Sequence, residues 1–431
     1  MKRVGLYTLG CKVSQYETEA IAECFEAAGY VISDFNQKND VYVINTCTVT
    51  AEADKKSRQI IRRAKRQNPD AKILVCGCYS QRTPDEIEKM PEVDAVIGSG
   101  GKLRLVKIAD ELLSGGPKVS EVTDIYGEPF EPMRITRGPR TRVYVKIEDG
   151  CESRCSYCAI PSARGNVRSK PADEVIEEVE ALAKSGVNEI VLTGIETGSY
   201  GKDFGTGYGL GDLLTELDRR KSAVRIRLGS LAPELIGRDF ADKIKGLGIL
   251  APHFHVSIQS GSDRTLSAMR RRYTRERALE NIRRIREYIP SATFTTDLMV
   301  GFPGETEEDF LETVSFAEEV GFLSAHVFCY SRRKNTVAAE LPGQIPESVK
   351  HDRSQRLIER ITEIGHRVLD GIVERKQPLD CIFEEMREGM WYGHSECFAE
   401  VMAESENDLH GKRISVMPIK RHGDVIIGKI V

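Results

Sequence analysis

Six short apolar runs, at 143–147, 189–193, 224–228, 254–258, 293–300 and 323–329, alternate with helical patterns at 171–185, 210–220, 233–245, 274–288 and 306–320. Strand-length runs separated by helices predict parallel strands with the helices packed on their faces. Six such units are too many for a small open sheet. They predict a partial (β/α)6 barrel whose site forms at the carboxyl ends of its strands. A shorter version of the alternation fills residues 3–113, with runs at Val4–Leu9, Val41–Asn45, Lys72–Cys76 and Ala95–Ile97. Helical patterns at 15–28, 51–67, 84–89 and 102–113 lie between and after them. This part predicts a separate, smaller parallel α/β domain.

The chemistry sits at the strand ends. Directly after the first barrel run comes Cys151-Glu152-Ser153-Arg154-Cys155-Ser156-Tyr157-Cys158. Disulfides, zinc and iron–sulfur clusters are the chemistries that use thiols this densely. The N-terminus runs straight into a strand pattern, and no apolar run is long enough to span a bilayer. A cytoplasmic protein without a membrane partner is therefore expected, and disulfides are rare in that compartment. The eleven cysteines then point to metal. Spacings of three and two residues let one loop wrap three corners of a 4Fe–4S cluster, which wants four ligands. One iron is left open for substrate.

A second set of three thiols is scattered in sequence. Cys11, Cys47 and Cys78 each follow a strand of the N-terminal sheet, and ligands of parallel sheets bind beyond such carboxyl ends. The plainer alternative is that each is an ordinary buried cysteine. Cys76 reads as a packed residue, and Cys24, Cys329, Cys381 and Cys397 as structural. Small and polar residues recur at the barrel strand ends, at Thr193-Gly194, Ser257 with Gln259, and Gly301. They suit ligand contact, although each alone could be a turn residue.

The expected domains are 1–115, a Pro/Gly-rich linker over 116–136, a core over 137–368 and a C-terminal domain over 370–431. Arg134, Arg137, Arg140 and Arg142 add positive charge beside the cysteine loop. After a long charged helix at 349–376, short β-like runs suggest a small OB-like barrel, a fold that often binds nucleic acid. The net charge of −4 gives no global nucleic-acid signal. Contacts to RNA phosphates would have to be local, from Lys412, Arg413, Lys420, Arg421 and Lys429, with Trp391, Tyr392 and Phe398 for base stacking.

The cysteine loop resembles the CxxxCxxC signature of radical S-adenosylmethionine enzymes, with Tyr157 at the family's usual aromatic position. Thr8-Leu9-Gly10-Cys11-Lys12, Asn45-Thr46-Cys47-Thr48-Val49 and Gly77-Cys78-Tyr79-Ser80-Gln81 resemble the N-terminal motifs of the methylthiotransferases within that superfamily. Ile160–Gly165, Gln259–Ser262 and Val300–Thr306 resemble its central motifs. Gly10–Val13 with Gln15–Glu19 looks most like the branch acting on threonylcarbamoyladenosine in tRNA. The chain departs from the pattern at Ser14, where Asn is usual, at Glu152-Ser153 and at Gly229–Ala232.

The resemblance implies that Cys151, Cys155 and Cys158 hold one 4Fe–4S cluster and that Cys11, Cys47 and Cys78 hold a second. One S-adenosylmethionine would methylate a sulfur on the second cluster. Another would be cleaved to a 5′-deoxyadenosyl radical that takes the hydrogen from carbon 2 of the adenine at position 37. Tyr157, Thr193, Gly194, Ser257, Gln259 and Gly301 would contact S-adenosylmethionine, and the C-terminal segment would be a TRAM domain. Implied partners are tRNA, an external one-electron donor of flavodoxin or ferredoxin type, and a sulfur donor. The alternatives are isopentenyladenosine in tRNA or a ribosomal-protein aspartate as substrate, a non-catalytic iron–sulfur carrier, and a zinc-stabilised RNA-binding protein.

Overall fold

A computed structural model describes residues 1–138, 141–221 and 224–431; Arg140 of the basic stretch lies outside them. The N-terminal unit comprises β1 (Arg3–Thr8), α1 (Lys12–Ala27), β2 (Val31–Ser33), β3 (Val41–Thr46), α2 (Ala51–Gln67), β4 (Lys72–Gly77), α3 (Cys78–Arg82), α4 (Pro84–Glu88), β5 (Ala95–Ile97), α5 (Leu105–Leu113) and β6 (Val119–Glu121). Its sheet has the order β2-β1-β3-β4-β5-β6, with every pairing parallel. The middle strand β3 is buried at every residue, as a strand covered by helices on both faces must be. The chain steps outward from β1 to β2 and then crosses to β3. The order therefore reverses between β1 and β3, which opens a crevice there.

The central unit comprises β7 (Arg142–Lys146), β8 (Glu148–Asp149), α6 (Ile160–Arg164), β9 (Arg168–Ser169), α7 (Ala172–Lys184), β10 (Glu189–Thr193), α8 (Leu210–Arg219), β11 (Arg225–Leu228), β12 (Ser230–Leu231), α9 (Arg238–Ile244), β13 (His253–Gln259), α10 (Asp263–Ala268), α11 (Arg275–Tyr288), β14 (Thr293–Val300), α12 (Glu307–Val320) and β15 (Ser324–Cys329). Its main strands pair in parallel as β11-β10-β7 and β12-β13-β14-β15. Only Gly229 separates β11 from β12. The curved wall therefore follows chain order from β7 to β15, as the six-unit pattern predicts. Local signals set the helix ends: α12 starts with a capping box between Thr306 and Asp309 and stops at the left-handed Gly321.

A long helix, α13 (Glu347–Glu374), leads to β16 (Leu379–Arg387), β17 (Met390–Ser395), β18 (Glu400–Ala403), β19 (Arg413–His422) and β20 (Val425–Ile430). These close a small barrel in the order β16-β17-β18-β20-β19. The small barrel plugs the amino-terminal end of the central strands. Arg225 donates to the Asp380 carbonyl at 2.6 Å, Arg227 donates to that of Glu396 at 3.1 Å, and Thr293 donates to that of Cys397. The opposite, carboxyl end of the strands carries the cysteine loop.

One apolar core runs from Val4, Tyr16 and Phe25 through the central strands to Ile361 and Ile364 of α13. Segment 116–136 is more than a surface connection. It supplies β6 and buries Met133, whose carbonyl accepts a hydrogen bond from the Tyr16 hydroxyl at 2.7 Å. Among the described residues, no helix is long and apolar enough to cross a membrane.

Candidate active site

The crevice of the N-terminal sheet gathers the three dispersed thiols. Cys11 caps α1, Cys47 follows β3, and Cys78 opens α3 directly after β4. Two glycines allow the approach. Gly10, at φ +116°, brings its loop so near that an added Cβ would lie 3.2 Å from the Cys47 Cβ. Gly77, at φ +100°, turns β4 into α3 where a Cβ would strike the Thr46 carbonyl. The unusual Ser14 places its hydroxyl 3.9 Å from the Cys11 sulfur. Burial pushes the Cys47 thiol up to about 12, with Cys78 adding to the rise. Burial also raises Cys78, against the pull of Arg164. Burial thus favours the neutral thiol at Cys47 and Cys78, and a metal bound there would displace their protons.

The contiguous set lies on an irregular loop pinned at both ends. Cys151 donates its amide to the Gly165 carbonyl at 3.0 Å, and Gly150 passes under Asn166 where no side chain would fit. At the loop's centre the Ser156 amide donates to Met269 at 3.0 Å and its hydroxyl to Ala268 at 2.8 Å. Arg154 sits at a positive φ of 47° between the first two cysteines. Arg271 reaches the Cys155 sulfur at 3.4 Å and anchors on the Ser257 carbonyl at 2.7 Å. Burial pushes Cys158 up to about 12, and the neighbouring Cys155 and Cys151 add to it. All these cysteines are free thiols. Among the described residues, no three His, Cys, Asp or Glu side chains close into the shell of a single ion. A cuboidal cluster takes one thiolate at each of three irons, so its donors stand wider apart than those of a single zinc, where each metal–sulfur bond is about 2.3 Å. The loop and the crevice each supply three thiols, the number of donors such a group would take with one iron left open.

A buried charge network that the sequence did not reveal joins the N-terminal unit to the central one. Arg164 ends α6, the short helix that follows Cys158, and it is fully buried. Its Nε donates to the Cys78 sulfur at 3.1 Å, and its Nη1 donates to Glu17 at 2.5 Å and to Asp149 at 3.2 Å. Lys146 donates to the same two carboxylates at 3.0 Å each, and Lys102 stands 3.3 Å from Glu17. Burial alone would raise Glu17, but Arg164, Lys102 and Lys146 outweigh it and hold the carboxyl well below its usual range. Asp149 is held down in the same way by Lys146 and Arg164. Glu17, Lys102 and Cys78 belong to one unit, and Lys146, Asp149 and Arg164 to the other. Arg82, at the end of α3, feels both Cys158 and Cys78.

The proposed S-adenosylmethionine contacts line the carboxyl-end mouth to different degrees. Thr193 and Gln259 are buried there, Gln259 with a positive φ of 69°. Tyr157 packs edge-on to Phe302 at 6.4 Å. Ser257 uses its carbonyl to hold Arg271. The space beside Gly194 is filled by Glu148 and that beside Gly301 by Lys350, so protein already takes the close approach that these glycines permit. Sequence reasoning missed Glu196, whose carboxyl lies at the same mouth within reach of Cys151. Burial lifts it to about 7 against the Ala232 amide and Arg271. Its position after the Thr193-Gly194 strand end was the available signal.

In the terminal barrel, Lys412, Lys420 and Lys429 are exposed. Arg413 is engaged with Asp380 at 2.7 Å and Arg421 with Asp370 at 2.8 Å. The expected stacking aromatics are largely occupied. Trp391 is in the barrel core, and Arg387 lies over Tyr392. Phe398 is stacked between His253 and His394, at 4.5 and 4.9 Å.

With this geometry described, comparison with known proteins gives the class first. The Radical SAM superfamily model matches residues 145–317, and the model described as Uncharacterized protein family UPF0004 matches residues 3–98. Among solved structures, the radical S-adenosylmethionine methyltransferase TsrM from Kitasatospora setae aligns with a TM-score of 0.59 at 18% identity, covering 79% of this chain and 77% of that one. At that identity it speaks for the fold alone.

Closer relatives narrow the class. The threonylcarbamoyladenosine tRNA methylthiotransferase MtaB of Bacillus subtilis is 41% identical, covering 97% of this chain and 94% of the relative. MtaB of Thermotoga maritima is 36% identical over 100% and 99% of the two chains. The tRNA-2-methylthio-N(6)-dimethylallyladenosine synthase of Pelotomaculum thermopropionicum is 35% identical over 96% and 95%. The chain belongs to the radical S-adenosylmethionine methylthiotransferase family.

Proposed function

We infer that this chain adds a methylthio group to carbon 2 of N6-threonylcarbamoyladenosine, beside the tRNA anticodon at position 37. The reading is carried by a single juxtaposition. Two sets of three thiols, one contiguous and one assembled by sheet topology, occur in a chain related over its whole length to MtaB proteins, and Arg164, which shortly follows the contiguous set, donates to Cys78 of the dispersed one. In this proposal Cys151, Cys155 and Cys158 hold the cluster that binds S-adenosylmethionine, and Cys11, Cys47 and Cys78 hold the cluster that carries sulfur. When bound, these groups supply one-electron chemistry and a transferable sulfur, which a carbon-bound hydrogen that is neither acidic nor hydridic requires.

The chain's own residues position and shield. Arg271 ties Cys155 to the end of β13, while Arg164 holds Cys78 against the central unit. The Glu17 network presses the N-terminal crevice onto the barrel mouth and keeps water from the interface between them. Glu196 offers a carboxylate at the mouth for a cationic group, such as the ammonium of S-adenosylmethionine. Tyr157, Thr193, Gly194, Ser257, Gln259 and Gly301 complete the proposed cofactor lining. Lys412, Lys420 and Lys429 supply free charge for RNA phosphates, and Arg413 and Arg421 can serve there only by leaving their carboxylates. External electron and sulfur donors and a cytoplasmic setting complete the proposal.

The test is mass spectrometry of tRNA nucleosides from a deletion strain. Loss of the methylthio-threonylcarbamoyl nucleoside alone is expected. Loss of the methylthio-isopentenyl nucleoside instead would move the substrate to the dimethylallyl branch, and no loss of either would overturn the reading.

A further inference from the structure

A cavity of about 470 Å³ lies inside the central barrel, a size common for small-ligand sites. It is walled by β7, β11 and β13, by the terminal barrel and by Lys12 of the N-terminal unit. Lys12 is the residue directly after Cys11, and its side chain is the N-terminal unit's contribution to the cavity wall. Its wall is rich in cations. Arg142 bonds Glu384, and Arg227 bonds Glu189 at 2.8 and 3.0 Å, both guanidinium groups lying over the Phe398 ring. Lys12 is exposed and makes no hydrogen bond or ion pair with any described residue, although Asp297 lies near enough to act favourably on its charge. The wall thus holds two arginines bonded to carboxylates and one lysine bonded to none. A second feature also asks for a ligand. His253, on the same wall, is buried to 4% exposure, and its Nδ1 has no hydrogen-bond partner among the described residues.

The geometry points to this cavity as the subsite for the threonylcarbamoyl arm of the target base, with Lys12 taking its carboxylate. The assignment rests on the substrate proposed above. Carbon 2 and carbon 6 of adenine flank the same ring nitrogen. A base presenting carbon 2 to the Cys11 end of the crevice therefore carries its N6 substituent only a short distance to the side. Lys12 stands one residue from Cys11. The arm ends in a carboxylate and bears a hydroxyl and ureido N–H groups, which match a spare ammonium and a spare imidazole nitrogen. An isopentenyl arm offers no partner to either and would place an apolar chain against a charged ammonium. Lys12 is thus a specificity-determining residue: it selects between the two modified adenosines that the family's relatives are named for.

The test pairs a change in the protein with a change in the ligand. Reconstituted wild-type protein and the Lys12→Gln and Lys12→Arg variants are titrated with anticodon stem-loop RNAs. These RNAs carry N6-threonylcarbamoyladenosine, its methyl ester, or unmodified adenosine. Wild type should prefer the acid over the ester by about tenfold, the range expected for a hydrogen bond to a charged group. Lys12→Gln should bring that ratio close to one, and Lys12→Arg should recover most of it. Binding of S-adenosylmethionine and the cluster absorbance should stay as in wild type. A Lys12→Gln protein that keeps the acid preference overturns the subsite, even if the wild type still modifies the base. Selective loss of S-adenosylmethionine binding also overturns it, because the carboxylate would then belong to the cofactor. A wild type that neither prefers nor modifies the threonylcarbamoyl RNA overturns the substrate reading itself.

Discussion

The two sets of thiols differ in what holds them. Cys151, Cys155 and Cys158 share one eight-residue loop, whose path is fixed by hydrogen bonds to nearby Gly165 and to Ala268 and Met269 from the far side of the barrel sequence. Cys11, Cys47 and Cys78 come from three strands 36 and 31 residues apart along the chain, and only the order of the sheet brings them together. The first site takes all three donors from one loop, which the barrel then anchors. The second exists only once a parallel sheet has closed around its switch point. A chemistry that needs both inherits the fragility of the second.

Breaking one site at a time gives the largest effects. Cys155→Ala should abolish reductive cleavage of S-adenosylmethionine, measured as 5′-deoxyadenosine formed by the reconstituted protein. Retained cleavage would remove the loop from the chemistry. Cys47→Ala should leave that cleavage in place, stop methylthio product and lower the iron content. Product at the wild-type rate would dissolve the distinction between the sites. Glu17→Gln should cost about 3–5 kcal/mol in urea unfolding, because it leaves Lys102 buried without a carboxylate and leaves Arg164 and Lys146 to share Asp149 alone. An effect below about 1 kcal/mol would show that the units dock without this network.

A smaller effect is expected from acid at the other end of the barrel. Burial would raise Glu189, but Arg227 and Arg225 outweigh it and hold it down at about 2 against an ordinary 4.5. A depressed carboxyl contributes stability that is complete above its unfolded pKa and is lost as pH falls toward its folded one. Thermal stability should therefore fall between about pH 4.5 and pH 2, and Glu189→Gln should flatten that slope. The smallest effects belong to the surface. Lys420→Ala should weaken binding to tRNA uniformly and lower its salt slope by about one. Arg413→Ala should do less, since its charge is already engaged by Asp380.

Much of the fold was legible because period and punctuation are local. The strand and helix patterns of the central unit lie within a residue or two of the elements, except over 233–245. There the chain forms a short 3₁₀ turn and then α9. Edges β2 and β6 were missed because they are short, partly exposed and carry polar residues, whereas the equally short β5 is wholly apolar and buried and could be read. Strand β17 was missed because Gly393 interrupts it, and that glycine is needed where the Ile382 carbonyl would lie 2.2 Å from an added Cβ. The contiguous thiols were visible by spacing and the dispersed ones by their position after strands. The Glu17–Arg164 pair was not legible, since 147 residues separate its members and no local rule connects them. The stacking role expected of Trp391 and Phe398 also gave way to packing, once the small barrel had to seal the base of the large one.

The Arg164 contact bears on how such a chain can be recombined. One unit contributes Glu17, Lys102 and Cys78, and the other contributes Lys146, Asp149 and Arg164. An N-terminal half transplanted from a relative would arrive with its carboxylate and its thiol but would need the host's guanidinium at the matching place. The halves are therefore exchangeable only as a matched pair. A chimera joined at the 116–136 segment should fold and load its dispersed thiols only when these six residues travel together.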